Sequence, residues 1–176
     1  MSGAYSINNQ TDLYYLTLTV QQWADVFSRK RYRDIVIEAL QYCIHTKGLK
    51  LYAYVIMTNH LHLIAQANEG FELSNIIRDF KKHTAKQILK SIKDEPESRR
   101  DWLLNIFKKD ENIHEFWQKD NHAFSLYSVE MIQQKLNYIH KNSVRAGIVR
   151  EAHEYIYSSA SSFSSQADAL IKTAPM

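Results

Sequence analysis

The period of apolar and polar positions changes several times along this chain, and each change marks an element. Residues 13–20 read Leu-Tyr-Tyr-Leu-Thr-Leu-Thr-Val, with Leu16, Leu18 and Val20 alternating against Thr17 and Thr19. Alternation in a β-branched and aromatic run predicts a strand. Over 31–46, Ile35, Ala39, Tyr42 and Cys43 recur at helical spacing with Val36 and Leu40 beside them, and Gly48 comes next as a stop. Residues 49–57 are apolar on both faces, as a central strand is. Thr58-Asn59 reads as a turn and 60–67 as the hairpin partner. A second helix is predicted over 72–93, with the stripe Leu73, Ile76, Ile77, Phe80, Ala85, Ile88, Leu89 and Ile92, then a charged loop over 94–101. The stretch 102–109 fits a short helix or strand, and 114–123, around Phe116-Trp117, is assigned the last sheet strand. Ser128 is placed to cap a helix over 129–142, and Gly147 punctuates the stretch 144–149 beyond it. Strand, helix, strand, strand, helix, strand, helix implies an α+β fold: an antiparallel sheet with helices packed on one face.

Composition narrows this picture. A chain of 176 residues that is 45% hydrophobic, with only 4 Gly and 2 Pro, can build a proper core and is not loop-dominated. One domain over 1–160 is expected, followed by a Ser-rich polar tail over 161–176 expected to be disordered. A net charge of +3 permits nucleic-acid binding without demonstrating it. Cys43 is the only cysteine, which excludes an internal disulfide and a cysteine zinc site. The polar N-terminus and the lack of any membrane-length apolar run make a reducing cytoplasm the expected compartment, with no membrane partner.

Candidate chemistry sits first in His60-Leu61-His62. On a strand, residues two apart share a face, so both imidazoles point one way and Leu61 and Leu63 the other. Two imidazoles backed by a buried apolar face form half of a metal site; the alternative is a pair of hydrogen-bonded surface rings. In the 129–142 helix, Ile132, Leu136 and Ile139 form the inward stripe, and Tyr138 lies off it. Tyr138 and Asn142 are four apart on one face, flanked by Lys135 and Lys141. The plain reading of Tyr138 is an amphipathic edge residue with a wet tip. The 72–93 helix carries Lys81, Lys82 and Lys86 on a basic face, which is either a solvated surface or a phosphate-contacting one.

Taken together, several pieces resemble a known family. They are Tyr54-Val55-Ile56-Met57-Thr58-Asn59-His60-Leu61-His62-Leu63, Phe80-Lys81-Lys82-His83-Thr84-Ala85, Phe116-Trp117-Gln118, Asn137-Tyr138-Ile139-His140-Lys141-Asn142-Ser143-Val144-Arg145-Ala146-Gly147-Ile148-Val149 and Tyr157-Ser158-Ser159-Ala160. Their order and spacing resemble the REP-associated tyrosine transposases, relatives of the single-tyrosine insertion-sequence transposases among the HUH nucleases. The resemblance runs from about Tyr14 to Ala160. It implies a ferredoxin-like fold, a divalent metal held by His60 and His62, a catalytic Tyr138 on a C-terminal helix, and Asn142 as the residue that completes the metal site. It also implies action on single-stranded DNA beside short hairpins. Two departures stand out: Thr58 and Ser143 occupy positions where the family usually has proline. The second bears on Asn142, because a helix freed of that proline can run further.

An ordinary tyrosine, with a pKa of about 10, is about one part in a thousand ionised at neutral pH, and ionising it costs roughly 4 kcal/mol. The expected site therefore needs a cation, Mg²⁺ or Mn²⁺, to polarise the scissile phosphate. Lys135, Lys141 and His140 are candidates to stabilise charge on the tyrosine or the departing oxygen, with Arg145 a further DNA contact. The expected reaction is cleavage and rejoining of single-stranded DNA through a 5′-phosphotyrosine. Two alternatives stay open: a hairpin-binding protein that does not cleave, and a small hydrolase with zinc on the histidines. The sequence also leaves open a site built within one chain or shared across a homodimer that exchanges the Tyr138 helix.

Overall fold

The computed structural model describes residues 6–163 and 169–176. Its sheet has four strands: β1 (Tyr14–Thr19), β2 (Leu49–Ile56), β3 (His60–Ala67) and, after a two-stranded ribbon of β4 (Lys108–Asp110) and β5 (Ile113–His114), the short β6 (Phe124–Ser125). The spatial order is β2-β3-β1-β6, antiparallel throughout. Among the described residues four α-helices accompany it: α1 (Lys30–Thr46), α2 (Leu73–Asp94), α3 (Arg100–Phe107) and α4 (Val129–Arg145). Taken as β1-α1-β2-β3-α2-β6, this is the ferredoxin-like connection, with α3 and the ribbon inserted before the last strand.

Both faces of the sheet are covered. Leu61 and Leu63 on β3, opposite Leu18 and Leu16 on β1, are fully buried on the face where α1 and α2 pack against each other and against β2 and β3. The alternate positions face α4, which lies across β2 and β3. The expected single helical layer is therefore α1 with α2, and α4 forms a second layer on the far side.

The fourth strand differs from its expected position. Within 114–123 the chain follows β1 only irregularly: Trp117 bridges Val20, the Gln118 amide donates to the Thr19 carbonyl, and the Thr17 amide donates to the Asn121 carbonyl. Regular pairing comes only at Phe124–Ser125, after His122 turns through a left-handed φ of 37°. The indole of Trp117 donates to Thr84 on α2, and Lys81 donates to the carbonyls of Gln118 and Lys119 and to Asn121 Oδ1. Two of the family-like pieces, 80–85 and 116–118, thus clamp a helix to an irregular sheet edge.

The other edge, β2, is closed by the C-terminal part of the chain, which leaves less of its pairing face open to other chains. Ser158 bridges Val55, the Ile56 amide donates to the Tyr157 carbonyl, and the Tyr54 amide donates to Ser159 Oγ. Further along, the Ala174 amide donates to the Leu51 carbonyl and Ile171 is buried. The tail expected to be disordered over 161–176 is thus docked at 169–176, through apolar residues that its Ser-rich composition obscured; residues 164–168 lie outside the described part. Among the described residues no helix is long and apolar enough to cross a membrane.

Candidate functional site

The site is built where the β2–β3 turn meets α4. The Met57 amide donates to the His60 carbonyl to close the turn, and the Thr58 and Asn59 carbonyls accept from Phe27 and Val20. Thr58 is exposed and fits this turn without proline. The turn is thus held from outside as well as within, and it fixes the start of β3. His60 and His62 emerge on the α4 face opposite Thr19 and Thr17, as their spacing predicted.

The two rings converge. Their Nε2 atoms are 3.1 Å apart. Two nitrogens bound at right angles to one octahedral cation, each ~2.1 Å from it, are about 3 Å apart. Each ring is held through its other nitrogen, as metal-binding imidazoles usually are. Asn59 Nδ2 donates to the Trp23 carbonyl at 3.2 Å, so its Oδ1 is the atom left to accept from His60 Nδ1 at 2.6 Å. That fixes the proton on Nδ1 and leaves the His60 Nε2 lone pair free. His62 Nδ1 lies 2.8 Å from the Tyr15 hydroxyl and 3.0 Å from the Thr17 hydroxyl. A hydroxyl can donate or accept, so either oxygen suits His62 protonated on Nε2, donating to His60, or on Nδ1 with Nε2 bare.

Electrostatics agree with a ligand role. Burial holds His60 below the usual imidazole range, and burial, aided by His60 and Lys135, pushes His62 down to about 3. Both rings are therefore neutral at physiological pH, the state that coordinates metal. Burial pushes the Tyr15 phenol up, so this tyrosine stays a neutral hydrogen-bonding group beside His62.

Tyr138 comes from α4. Ser128 caps that helix by accepting from the Met131 amide. At the other end Gly147, at φ 70°, donates to the Val144 carbonyl while Ile148 donates to Ser143, the double hydrogen bond of a glycine-terminated helix. With serine at 143, the helix runs to Arg145. Ile139 is fully buried beneath it, and Tyr138, 38% exposed, sets its ring edge-on to His62 at 5.4 Å between centroids and to Tyr15 at 6.3 Å. One chain therefore supplies both the histidine pair and the tyrosine. Lys135 Nζ lies 5.9 Å from the Tyr138 ring and 4.6 Å from that of Tyr15, and the Arg145 guanidinium lies 5.2 Å over Tyr138.

The other expected site residues divide. Asn142 is half-buried one turn beyond Tyr138 on the same face, with no hydrogen bond to either histidine. Lys141 is exposed on α4. His140 is turned toward Ser159 Oγ, 3.0 Å from its Nε2. Lys82 and Lys86 line the groove between α1 and α2, on the side of the sheet away from Tyr138. Lys81, expected at the DNA, donates to three acceptors in the loop 118–121, and burial pulls its pKa down to about 8. Among the described residues no three His, Cys, Asp or Glu side chains are grouped so that they could hold a cation, so His45, His83, His114, His122 and His153 bring no third ligand of zinc type to the pair.

Sequence reasoning missed Tyr15, Thr17, Asn59 and Trp23. Alternation on β1 placed Thr17 on a polar face, but only the β1–β3 register puts it opposite His62.

Known proteins share both the pattern and the fold. The pattern of the family described as "Transposase IS200 like" matches residues 10–142, which include both histidines, Tyr138 and Asn142. A REP-associated tyrosine transposase bound to a REP hairpin shares the fold, with a TM-score of 0.62 and 15% identity over 90% of this chain and 82% of the other. A candidate transposase from Deinococcus radiodurans aligns with a TM-score of 0.47 and 16% identity over 79% of this chain and 95% of the other. No curated protein matches by sequence. With three-quarters of its length matched by one family pattern, the chain belongs to the IS200-like transposases.

Proposed function

We propose that this protein is a single-stranded DNA transesterase that cleaves and rejoins DNA beside hairpins, with Tyr138 as nucleophile. The observation that carries the reading is the meeting, within one chain, of two convergent imidazoles 3.1 Å apart and a tyrosine ring 5.4 Å from one of them. The hairpin is taken from the REP hairpin on the structurally similar transposase.

In this reading the Tyr138 oxygen attacks phosphorus in line with the departing 3′-oxygen. The Tyr138 O–P bond forms, the P–O3′ bond breaks, and the phenolic proton is lost. The products are a 5′-phosphotyrosine and a 3′-end that takes up a proton. The new ester keeps the energy of the old one, so a 3′-hydroxyl can reverse the step and join a strand without a nucleotide cofactor. Lys135 and Arg145 place positive charge beside the tyrosine, where a phosphate and charge developing on the nucleophile need it. His60 and His62, with Asn142 completing the set, would hold Mg²⁺ or Mn²⁺, which would polarise the phosphate. Asn59, Thr17 and Tyr15 keep the rings oriented for it.

The test is a denaturant-stable adduct between the purified protein and a labelled hairpin oligonucleotide with single-stranded flanks, in manganese. The unsubstituted protein is expected to form the adduct, and Tyr138→Phe to bind the same DNA and form none. An adduct on the Tyr138→Phe protein removes Tyr138 from its role. Tight hairpin binding by the unsubstituted protein with neither adduct nor nick would mark it as a binding protein only.

A further inference from the structure

A tryptophan beside the histidine pair has no place in the chemistry above. Trp23 ends the tight turn Gln21–Trp23, and both Gln22, at φ 49°, and Trp23, at φ 55°, are left-handed. Consecutive left-handed residues that are not glycine are uncommon, and such strain gathers at functional sites. Trp23 is 59% exposed rather than buried. Its ring stands edge-on to His60, with centroids 6.3 Å apart. Its carbonyl accepts from Asn59 Nδ2, and the same amide accepts from His60 Nδ1 through Oδ1. One asparagine thus ties the tryptophan backbone to a ring of the histidine pair. The aromatic series runs from Trp23 through His60 and His62 to Tyr138.

We infer that Trp23 is the stacking platform for the unpaired base next to the scissile phosphate, on the side of the site away from Tyr138. The inference rests on the proposed single-strand activity and deepens it. An indole face accepts any base, so the grip is tolerant of sequence; it positions the strand and does not read it. Asn59 sets where the platform stands relative to the histidines, so the base and the phosphate beside it are placed together.

The test measures binding of short single-stranded oligonucleotides, without added metal, to proteins that carry Tyr138→Phe so that no adduct forms. Adding Trp23→Ala is expected to weaken binding by about 5- to 100-fold, and Trp23→Phe, which keeps an aromatic face, by less than about 5-fold. Trp102→Ala, which removes an exposed indole stacked on Arg99, serves as the control and is expected to change binding little. A scan of single abasic sites should find one position at which the loss from Trp23→Ala disappears, because the base that stacks is already gone. Equal binding by the Trp23→Ala protein, equal losses for Ala and Phe, or a loss unchanged at every abasic position would each overturn the inference while leaving Tyr138 chemistry intact. Failure of the unsubstituted protein to bind or cleave single strands would overturn the proposed function, and the inference with it.

Discussion

The two faces of β3 are made from alternate residues of one eight-residue strand, and they do opposite things. Leu61 and Leu63 enter an apolar layer under α1 and α2. His60 and His62 enter a layer under α4 that also holds Thr17, Thr19, Tyr15 and Tyr138. Burial is nearly as complete on the second face, since His62 is only 5% exposed. The contrast is therefore one of satisfaction: each ring of the histidine pair is held through its Nδ1, by the neighbouring strand or by the turn. Buried polar groups are tolerated when hydrogen-bonded. The apolar face holds the strand in place, and the polar face uses that rigidity to fix the two imidazoles.

Substituting neighbours on the two faces should separate the roles most sharply. Leu63→Ala opens a cavity in the apolar layer and is expected to lower unfolding free energy by ~2–5 kcal/mol, with cleavage per folded molecule kept. His62→Ala is expected to reduce metal-dependent cleavage by more than ~100-fold. Denaturant titration read beside adduct formation checks both. If Leu63→Ala removed cleavage at full folding, or His62→Ala left it intact, the division of labour between the faces would be wrong.

The apolar face was the more legible of the two. Period-two and period-3.6 stripes located β1, α1, α2 and α4, because each stripe reports burial directly, and a run apolar on both faces located β2, which proves to be an edge strand covered by the C-terminal segment rather than a central one. The fourth strand was misplaced because its contacts with β1 depend on a left-handed turn at His122 and on Lys81 holding the loop, and neither leaves a periodic signal. At the site, His60, His62 and Tyr138 could be named from spacing and family resemblance. Their supports could not. Tyr15 and Thr17 lie more than forty residues from His62 in sequence, and only pairing of β1 with β3 brings them to its Nδ1. The place of the basic stripe on α2 was hidden for a related reason. Charge pattern shows that lysines share a helix face, but not which side of the sheet that face is on, and Lys82 and Lys86 lie away from Tyr138.

Acid should distinguish the faces next. On the α4 side of the sheet His60, His62 and His140 are all held below the usual range by burial, His62 at about 3, and burial with Lys93 and Lys108 also lowers His114 in β5. An unfolded histidine has a pKa near 6.5, so below that value the unfolded chain binds protons that the folded chain refuses. Stability is then full above about pH 6.5 and falls as pH drops toward 3. For His62 alone the whole loss is up to roughly 5 kcal/mol. Between about pH 6.5 and 4.5, mostly above the carboxylate range, melting temperatures of the metal-free protein should fall steadily. His62→Gln, which cannot titrate, should flatten the slope without abolishing it, because His60, His114 and His140 remain. An unchanged slope would place the acid sensitivity outside the histidine pair.

The smallest effect tests whether full satisfaction extends across the polar face. Ser143, on α4 where the family usually has proline, is fully buried, and its Oγ has no hydrogen-bond partner. A buried hydroxyl without a partner costs stability, and alanine is also the better helix former. Ser143→Ala is therefore expected to stabilise the protein by about 1 kcal/mol, which raises its melting temperature by ~2–4 °C. Because the backbone of α4 is kept, Tyr138 stays beside His62 and adduct formation should not change. Ser143→Pro acts differently: it removes a helical hydrogen bond and biases Asn142 away from helical geometry. If cleavage survives alanine and falls with proline, the unbroken helix through residue 143 is what this chain uses to hold the turn carrying Tyr138 and Asn142. A drop in stability for Ser143→Ala would mean that the hydroxyl has a partner in solution, and that this part of α4 belongs with the satisfied polar face after all.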